Sequence, residues 1–282
     1  MAWLRLRPGV RAVRRPGGRL QVGIRADLRV LLPDQPATRS LLAELTGRTE
    51  ASTPDDPDTR ARLLERLREH DLLVTAGAER LGEALSASYG PSGPARRRLR
   101  AETLVDISAG WRYADRLSAE LAAAGVSVAA AGHPGDIAVL ICAGEPRRED
   151  VDILSRVGRP HLLVSLAEGR ALVGPFVVPG RSACLRCVDA HLTDRDPDWP
   201  LLAAQLHHGD DAIDPAISAL AVSWAARDVV AWIDTGDPTT LSATVELGAH
   251  PWPRQRQWKR HPHCGCAWSA PVGSFPAGAV VS

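Results

Sequence analysis

The sequence predicts a two-part α/β protein, and three patterns carry that prediction. Short strands grouped around turn signals fill the first ninety or so residues, and strand, helix, strand alternation takes over after about residue 100. Cysteines then fall in two close pairs, Cys184/Cys187 and Cys264/Cys266, able to tie the end of the chain to its middle. The 282 residues suit two domains of ordinary size or one large α/β unit. At 45% hydrophobic and 24% charged, the composition supports a packed core and excludes global disorder. Only 4% of residues are aromatic, so the core must be built from Leu, Val and Ala.

The expected N-terminal module spans 1–88. Residues 10–14 and 20–24 alternate apolar and polar side chains around Pro16-Gly17-Gly18, a hairpin signal. Val30, Leu31 and Leu32 form a third strand stopped by Pro33. The period then changes: Leu41, Leu42 and Leu45 share a helical face, with Gly47 as the stop. A second helix begins near Asp56-Pro57 and runs to His70, burying Leu63, Leu64 and Leu67. Leu72-Leu73-Val74 closes the module. Three strands followed by helices within about eighty residues suggest a winged-helix-like domain.

Residues 89–100, Tyr89-Gly-Pro-Ser-Gly-Pro-Ala-Arg-Arg-Arg onward, are rich in breakers and charge and read as a linker. The α/β domain then covers 101–282. Strands are expected at 103–108, 126–131, 136–142 and 161–165, with an Ala- and Leu-rich helix over 113–124 ending at Gly125. This spacing is the βαβ unit of a parallel, doubly wound sheet. A long apolar helix runs from about Asp214 to Ile233, with Gly236 as its stop.

Net charge is only +1, from 34 basic and 33 acidic residues, so no global field draws nucleic acid or an anionic membrane. Arg96, Arg97, Arg98 and Arg100 make the one dense basic run, read as a solvated linker rather than a binding patch. No run of about 20 apolar residues is apparent, and arginines interrupt the apolar N-terminus where a signal peptide would be continuous. A cytoplasmic location, with neither membrane nor nucleic-acid partners, is the expectation.

Five cysteines in such a chain argue against a disulfide framework. Cys142 lies in an apolar strand and reads as a small core residue. Cys184-Leu-Arg-Cys187 and Cys264-Gly-Cys266, each flanked by expected loop residues, supply four thiolates, the set that suits tetrahedral Zn2+. A redox CxxC would need one pair only. Four protein ligands leave no open position, so the zinc would be structural. His261 and His263 are near enough in sequence to replace one thiolate.

With the cysteines placed, the stretch Gly174-Pro-Phe-Val-Val-Pro-Gly-Arg-Ser-Ala-Cys184-Leu-Arg-Cys187, the following Val188 to Leu192, the long helix and His261-Pro-His-Cys264-Gly-Cys266 resemble the ThiF/MoeB, ubiquitin-activating-like superfamily. Taken with the N-terminal module, nearly the whole chain is similar to the ocin-ThiF-like leader-peptide-binding proteins of azol(in)e (TOMM) peptide biosynthesis. The resemblance implies a Rossmann-type domain with a paired-cysteine zinc site, preceded by a PqqD-like peptide-recognition domain. It also implies capture of a precursor leader peptide as an added strand, at an edge formed by Val30, Leu31 and Leu32 beside a helix carrying Arg60, Leu63 and Arg66. Arg60, Arg62 and Arg66 could pair with an acidic leader or be ordinary helix-surface charges. The implied partners are the leader peptide, a separate YcaO-type cyclodehydratase and a second copy in a homodimer.

The nucleotide region departs from that family. Ser108-Ala-Gly-Trp-Arg-Tyr113 stands where a glycine-rich phosphate loop belongs, with one glycine and two bulky aromatics that would block it. Ala129-Ala-Ala-Gly-His133 replaces the ribose-binding acid, Glu145 is the only carboxylate near the expected catalytic Asp, and no lysine is present there. ATP-dependent adenylation therefore reads as lost, leaving no catalytic residues and no ATP requirement, and a bacteriocin-like biosynthetic binding protein as the expected function. Two alternatives stand beside it: an active ThiF-type adenylyltransferase with a divergent loop, and a winged-helix DNA-binding protein on a zinc scaffold.

Overall fold

The computed structural model describes residues 4–47, 56–75, 80–207 and 212–266. The chain divides into two units, 1–98 and 99–282. In the first, β1 (Leu4–Leu6) precedes a hairpin of β2 (Ala12–Arg15) and β3 (Arg19–Val22). Gly17 and Gly18 in its loop take φ of 78° and 65°, the left-handed region glycine enters without steric cost. β4 (Val30–Pro33) pairs antiparallel with β3, giving the order β2-β3-β4. α1 (Pro36–Leu45) and α2 (Pro57–Glu69) both begin on proline, which needs no amide partner there, and Asp56 caps α2 by accepting from the Asp58 amide. Leu41, Leu42, Leu45, Leu63 and Leu67 close over Leu20, Val22, Val30 and Leu32 as one core. β5 (Leu73–Thr75) stays out of this sheet and pairs with β1, a three-residue strand the sequence pattern does not reveal.

The segment expected as a linker is helical. α3 (Arg80–Tyr89) leads through a 3-10 turn at Gly90–Ser92 into α4 (Gly93–Glu102). Pro91 and Pro94 fall in first turns, where a missing N–H costs nothing, so these breakers mark helix starts. The arginine run is likewise not wholly solvated. Arg100 is 6% exposed and donates to both carboxylate oxygens of Asp234, at 2.9 and 2.5 Å, and to the Ala124 carbonyl at 3.0 Å.

In the second unit β6 (Leu104–Ala109), α5 (Trp111–Ala123), β7 (Ser127–Val128), β8 (Ile137–Ala143), α6 (Arg148–Arg156) and β9 (His161–Ala167) follow in turn. β7, β6, β8 and β9 lie parallel in that order. β10 (Arg170–Val177) then turns back antiparallel. After α7 (Leu185–Thr193), α8 (Trp199–Gln205) and α9 (Pro215–Thr235), β11 (Ala243–Leu247) and β12 (Arg254–Gln257) complete the sheet β12-β11-β10-β9-β8-β6-β7. The parallel half matches the expected alternation, and the antiparallel half extends it. Leu117 and Leu121 of α5 and Ala221, Val222, Ala225 and Val229 of α9 cover one face. Val151 of α6 and Leu185 of α7 meet Leu140 and Leu163 on the other.

Helix α9 starts on the Asp214 cap and stops at Gly236, φ 72°, as its sequence predicts. At 21 residues and a mean hydropathy of 1.4 it is long and apolar enough to cross a bilayer, contrary to the expectation that no such run exists. Here it packs on the sheet, and its wholly buried Asp228 accepts the amides and hydroxyls of Thr239 and Thr240 at 2.5 to 3.1 Å. Beside these threonines Gly174 sits at φ 100°, and a Cβ there would lie 2.8 Å from Thr240 Cβ, so only glycine fits.

His161, the first residue of β9, is wholly buried, with Nδ1 2.9 Å from the Arg159 carbonyl and Nε2 without a hydrogen-bond partner. Burial pushes its pKa down to about 4. The unfolded chain, with an ordinary value of about 6.5, binds the proton more readily, so stability is full above that pH and is lost as pH falls towards 4. About 2 kcal/mol should disappear between pH 7 and pH 5 from this residue alone. Denaturant melts of wild type and His161→Phe at the two pH values check this: the variant should show the smaller loss, and equal losses would refute the assignment.

Candidate metal centre and peptide edge

Cys184 is the N-cap of α7 and Cys187 lies in its first turn, so this pair sits on a helix start and not between loops as expected. The N-terminal amides and the helix dipole there favour thiolate. Cys264 and Cys266 approach from the end of the described chain. Cys184 Sγ is 3.7 Å from Cys187 Sγ and 3.4 Å from Cys264 Sγ, and Cys187 Sγ is 3.5 Å from Cys266 Sγ. All four sulfurs lie within 4.8 Å of one another, and none forms a disulfide. One tetrahedral ion about 2.3 Å from each sulfur needs edges of about 3.8 Å, so the cluster is compatible with a metal site. A redox CxxC does not account for the second pair. The hydrogen bond from the Cys184 thiol drives Cys187 down to about 4, while that same bond, then burial, pushes Cys184 up. Four thiols this close cannot all ionise unless a cation offsets their charge.

The cluster rests on a small core of Val177, Ala183, Val188 and Trp258. Trp258 donates from Nε1 to Thr244 Oγ1 at 3.0 Å and lies 4.0 Å beneath the Arg256 guanidinium. His261 is not a stand-in ligand. Its Nδ1 accepts the His263 amide at 3.2 Å, so Nε2 keeps the proton and donates to Asp194 at 3.1 Å. His191, Asp194 and His261 also lie close together, but the same proton on Nε2 makes them a hydrogen-bonded group and not a second ligand set.

Crossovers leave β6 in opposite directions, to β7 and then to β8, and the carboxyl ends of β6 and β8 flank the crevice where such sheets bind ligands. The β6–α5 connection is Gly110 alone, too short to wrap a phosphate in glycine amides. Of the two aromatics expected to block this crevice, Trp111 is 76% exposed and Tyr113 packs against the core. Glu145 ion-pairs with Arg148 at 3.0 Å, Arg148 also holds Asp189 at 2.7 Å, and Trp199 Nε1 donates to Asp189 at 2.9 Å. The one carboxylate near the expected catalytic position is therefore already committed. It lines a cavity of about 310 Å3 that Leu172, Trp199 and Glu246 also border.

In the first unit β4 is an edge strand, and β4 and α2 share one core. Val30 and Leu32 are 3% and 1% exposed and Leu63 is 6%, so these three side chains are core and cannot line a groove. Arg60 is held by two 2.7 Å bonds to Glu44 of α1, so its charge is spent inside the unit. Arg66 is exposed on α2. Leu31 is half-buried on the opposite side of the strand. The Asp34 amide donates to the Gly18 carbonyl, which sets the phase of the β3–β4 ladder. Val30 and Leu32 then face β3, and the Leu31 amide and carbonyl point to the open edge. Among the described residues no strand pairs there.

No protein-family model matches the chain, and no curated protein matches it. Solved structures do share its fold. A heterocyclase in complex with substrate and cofactor matches at a TM-score of 0.74 and 18% identity, over 95% of this chain and 40% of that one. The heterocyclase TruD matches at 0.72 and 17%, over 95% and 43%. E. coli MccB matches at 0.61 and 15%, over 94% and 96%. The chain thus spans under half the length of the two heterocyclases and nearly all of MccB.

Protein purified without added metal should carry about one metal ion per chain by elemental analysis, because four protein thiolates saturate one tetrahedral ion. Cys264→Ser should lower the melting temperature sharply and release the ion, since metal binding and folding are coupled here. An unchanged melt in metal-free protein would rule out the clamp.

Proposed function

We propose that the chain is a non-catalytic partner protein that grips the leader of a precursor peptide and presents it to a separate YcaO-type cyclodehydratase in azol(in)e peptide biosynthesis. The observation that carries this reading is the open outer edge of β4, where Leu31 offers backbone groups to an added strand. The first unit then acts as the PqqD-like, winged-helix-like recognition module, and the second as a degenerate Rossmann-type ThiF-like scaffold. Zinc is the ion this thiolate set suits, and with four protein ligands it is structural. Likeness in fold to a heterocyclase solved with its substrate supports the reading. The committed Glu145 and the single-residue Gly110 connection favour a scaffold over an enzyme.

A second reading is an active adenylyltransferase, favoured by one observation: MccB solved with ATP matches at a TM-score of 0.62 over 95% of this chain. The two readings separate cleanly. Mg-ATP should leave the melting temperature unchanged, since a ligand of the native state must raise it, and saturable binding with pyrophosphate exchange would favour the enzyme. For the peptide, Leu31→Pro removes the one β4 amide that faces outward, a change an edge strand tolerates. It should weaken leader-peptide binding in fluorescence anisotropy about tenfold with little change in melting temperature. Unaltered affinity would move the site away from β4.

A further inference from the structure

The three-stranded sheet of the first unit has one face under α1 and α2 and one face with no helix over it among the described residues. Register assigns the second face. Val13, Gln21 and Leu31 are paired across it, as are Arg15, Arg19 and Pro33. Side chains alternate along each strand, so these lie opposite the buried Leu20, Val22, Val30 and Leu32. One residue further, the Gly23 amide donates to the Arg11 carbonyl, and the same alternation puts Arg11 and Arg29 on this face. Arg11, Arg15, Arg19 and Arg29 are all exposed around Val13, Gln21 and Leu31.

Charge is not balanced here. Residues 4–47 hold nine arginines and three carboxylates. Each carboxylate is taken: Asp27 by Arg25, Asp34 by Arg14 and Arg39, and Glu44 by Arg60. The four arginines of the open face have no ion pair among the described residues. Arg15 stands directly opposite Arg19, an arrangement that destabilises a sheet unless an anion lies between the two. We infer that this face selects acidic segments of the peptide that adds to β4. Carboxylates at alternate positions of the added strand would lie on the same face as Arg29 and Arg19.

The inference rests on the strand-addition reading above but is separable from it. That reading concerns backbone pairing, whereas this one concerns side-chain charge and moves the discriminating arginines from α2 to the sheet. A polypeptide fits better than a nucleic acid. Among the described residues the face presents no aromatic ring for base stacking, and it adjoins an edge that can pair with a peptide backbone.

The test uses the full chain and four fluorescent probes at low salt. One is a peptide of about ten residues with glutamate at alternate positions, the length of a long strand. The others are its glutamine counterpart, an N-methylated version that keeps the charges but cannot pair, and a single-stranded oligonucleotide. The glutamate peptide should bind, and Arg19→Glu with Arg29→Glu should weaken it about tenfold without lowering the melting temperature, as loss of two charge-assisted contacts requires. Arg62→Glu with Arg68→Glu on α2 should change little. Glutamine and glutamate peptides binding alike, or no effect of the sheet variant, would overturn charge selection while leaving strand addition standing. Binding of the N-methylated peptide as tight as that of its parent would refute strand addition and keep the charged face. Absence of any glutamate-peptide binding, or tighter binding of the oligonucleotide through the same arginines, overturns the inference.

Discussion

Convergence of Cys184 and Cys187 with Cys264 and Cys266 closes a loop across 80 positions of the chain. That loop holds α7, α8, α9 and the two strands β11 and β12. β12, Arg-Gln-Arg-Gln, has no apolar residue with which to hold itself against the sheet, and Trp258 just after it is the first large apolar anchor. Drawing Cys264 and Cys266 onto the start of α7 brings Trp258 into its small core and keeps β12 in register on β11. Closing so long a loop costs chain entropy, which a multidentate metal held by the four thiols would help to offset.

Buried charge supplies the other constraints. Asp228 is satisfied by four donors, Arg100 and Asp234 pair out of solvent, and Arg148 sits between Glu145 and Asp189. Each group would be costly to bury alone and is tolerated because its partners are complete. Glu145 and Asp189, two of the acids lining the cavity at the β8 end, share the one guanidinium of Arg148.

The first unit divides its charges differently. On its helices Arg60 is balanced by Glu44, whereas the open face of the sheet keeps Arg11, Arg15, Arg19 and Arg29 unbalanced. A chain with a net charge of only +1 can therefore hold a locally basic surface. Whole-chain charge excludes a global field, but it says nothing about a single sheet face.

Periodicity and punctuation by themselves determined the hairpin at Pro16-Gly17-Gly18, α1, α2, the parallel alternation and α9 with its Asp214 and Gly236 ends, because these depend on local geometry and on which side chains share a face. Cysteine spacing likewise marked the four thiols that converge. Tertiary structure alone decided the rest. β1, β10 and β12 are strands because a neighbour pairs with them, and the proline-rich 89–100 is helical because its prolines fall where helices begin. Val30 and Leu32 went into the core and Arg60 to Glu44, since a strand has two faces and a charge takes whatever partner folding brings near. One sequence shows which residues recur at a given period, but not which side of the strand meets the core or which carboxylate arrives beside an arginine.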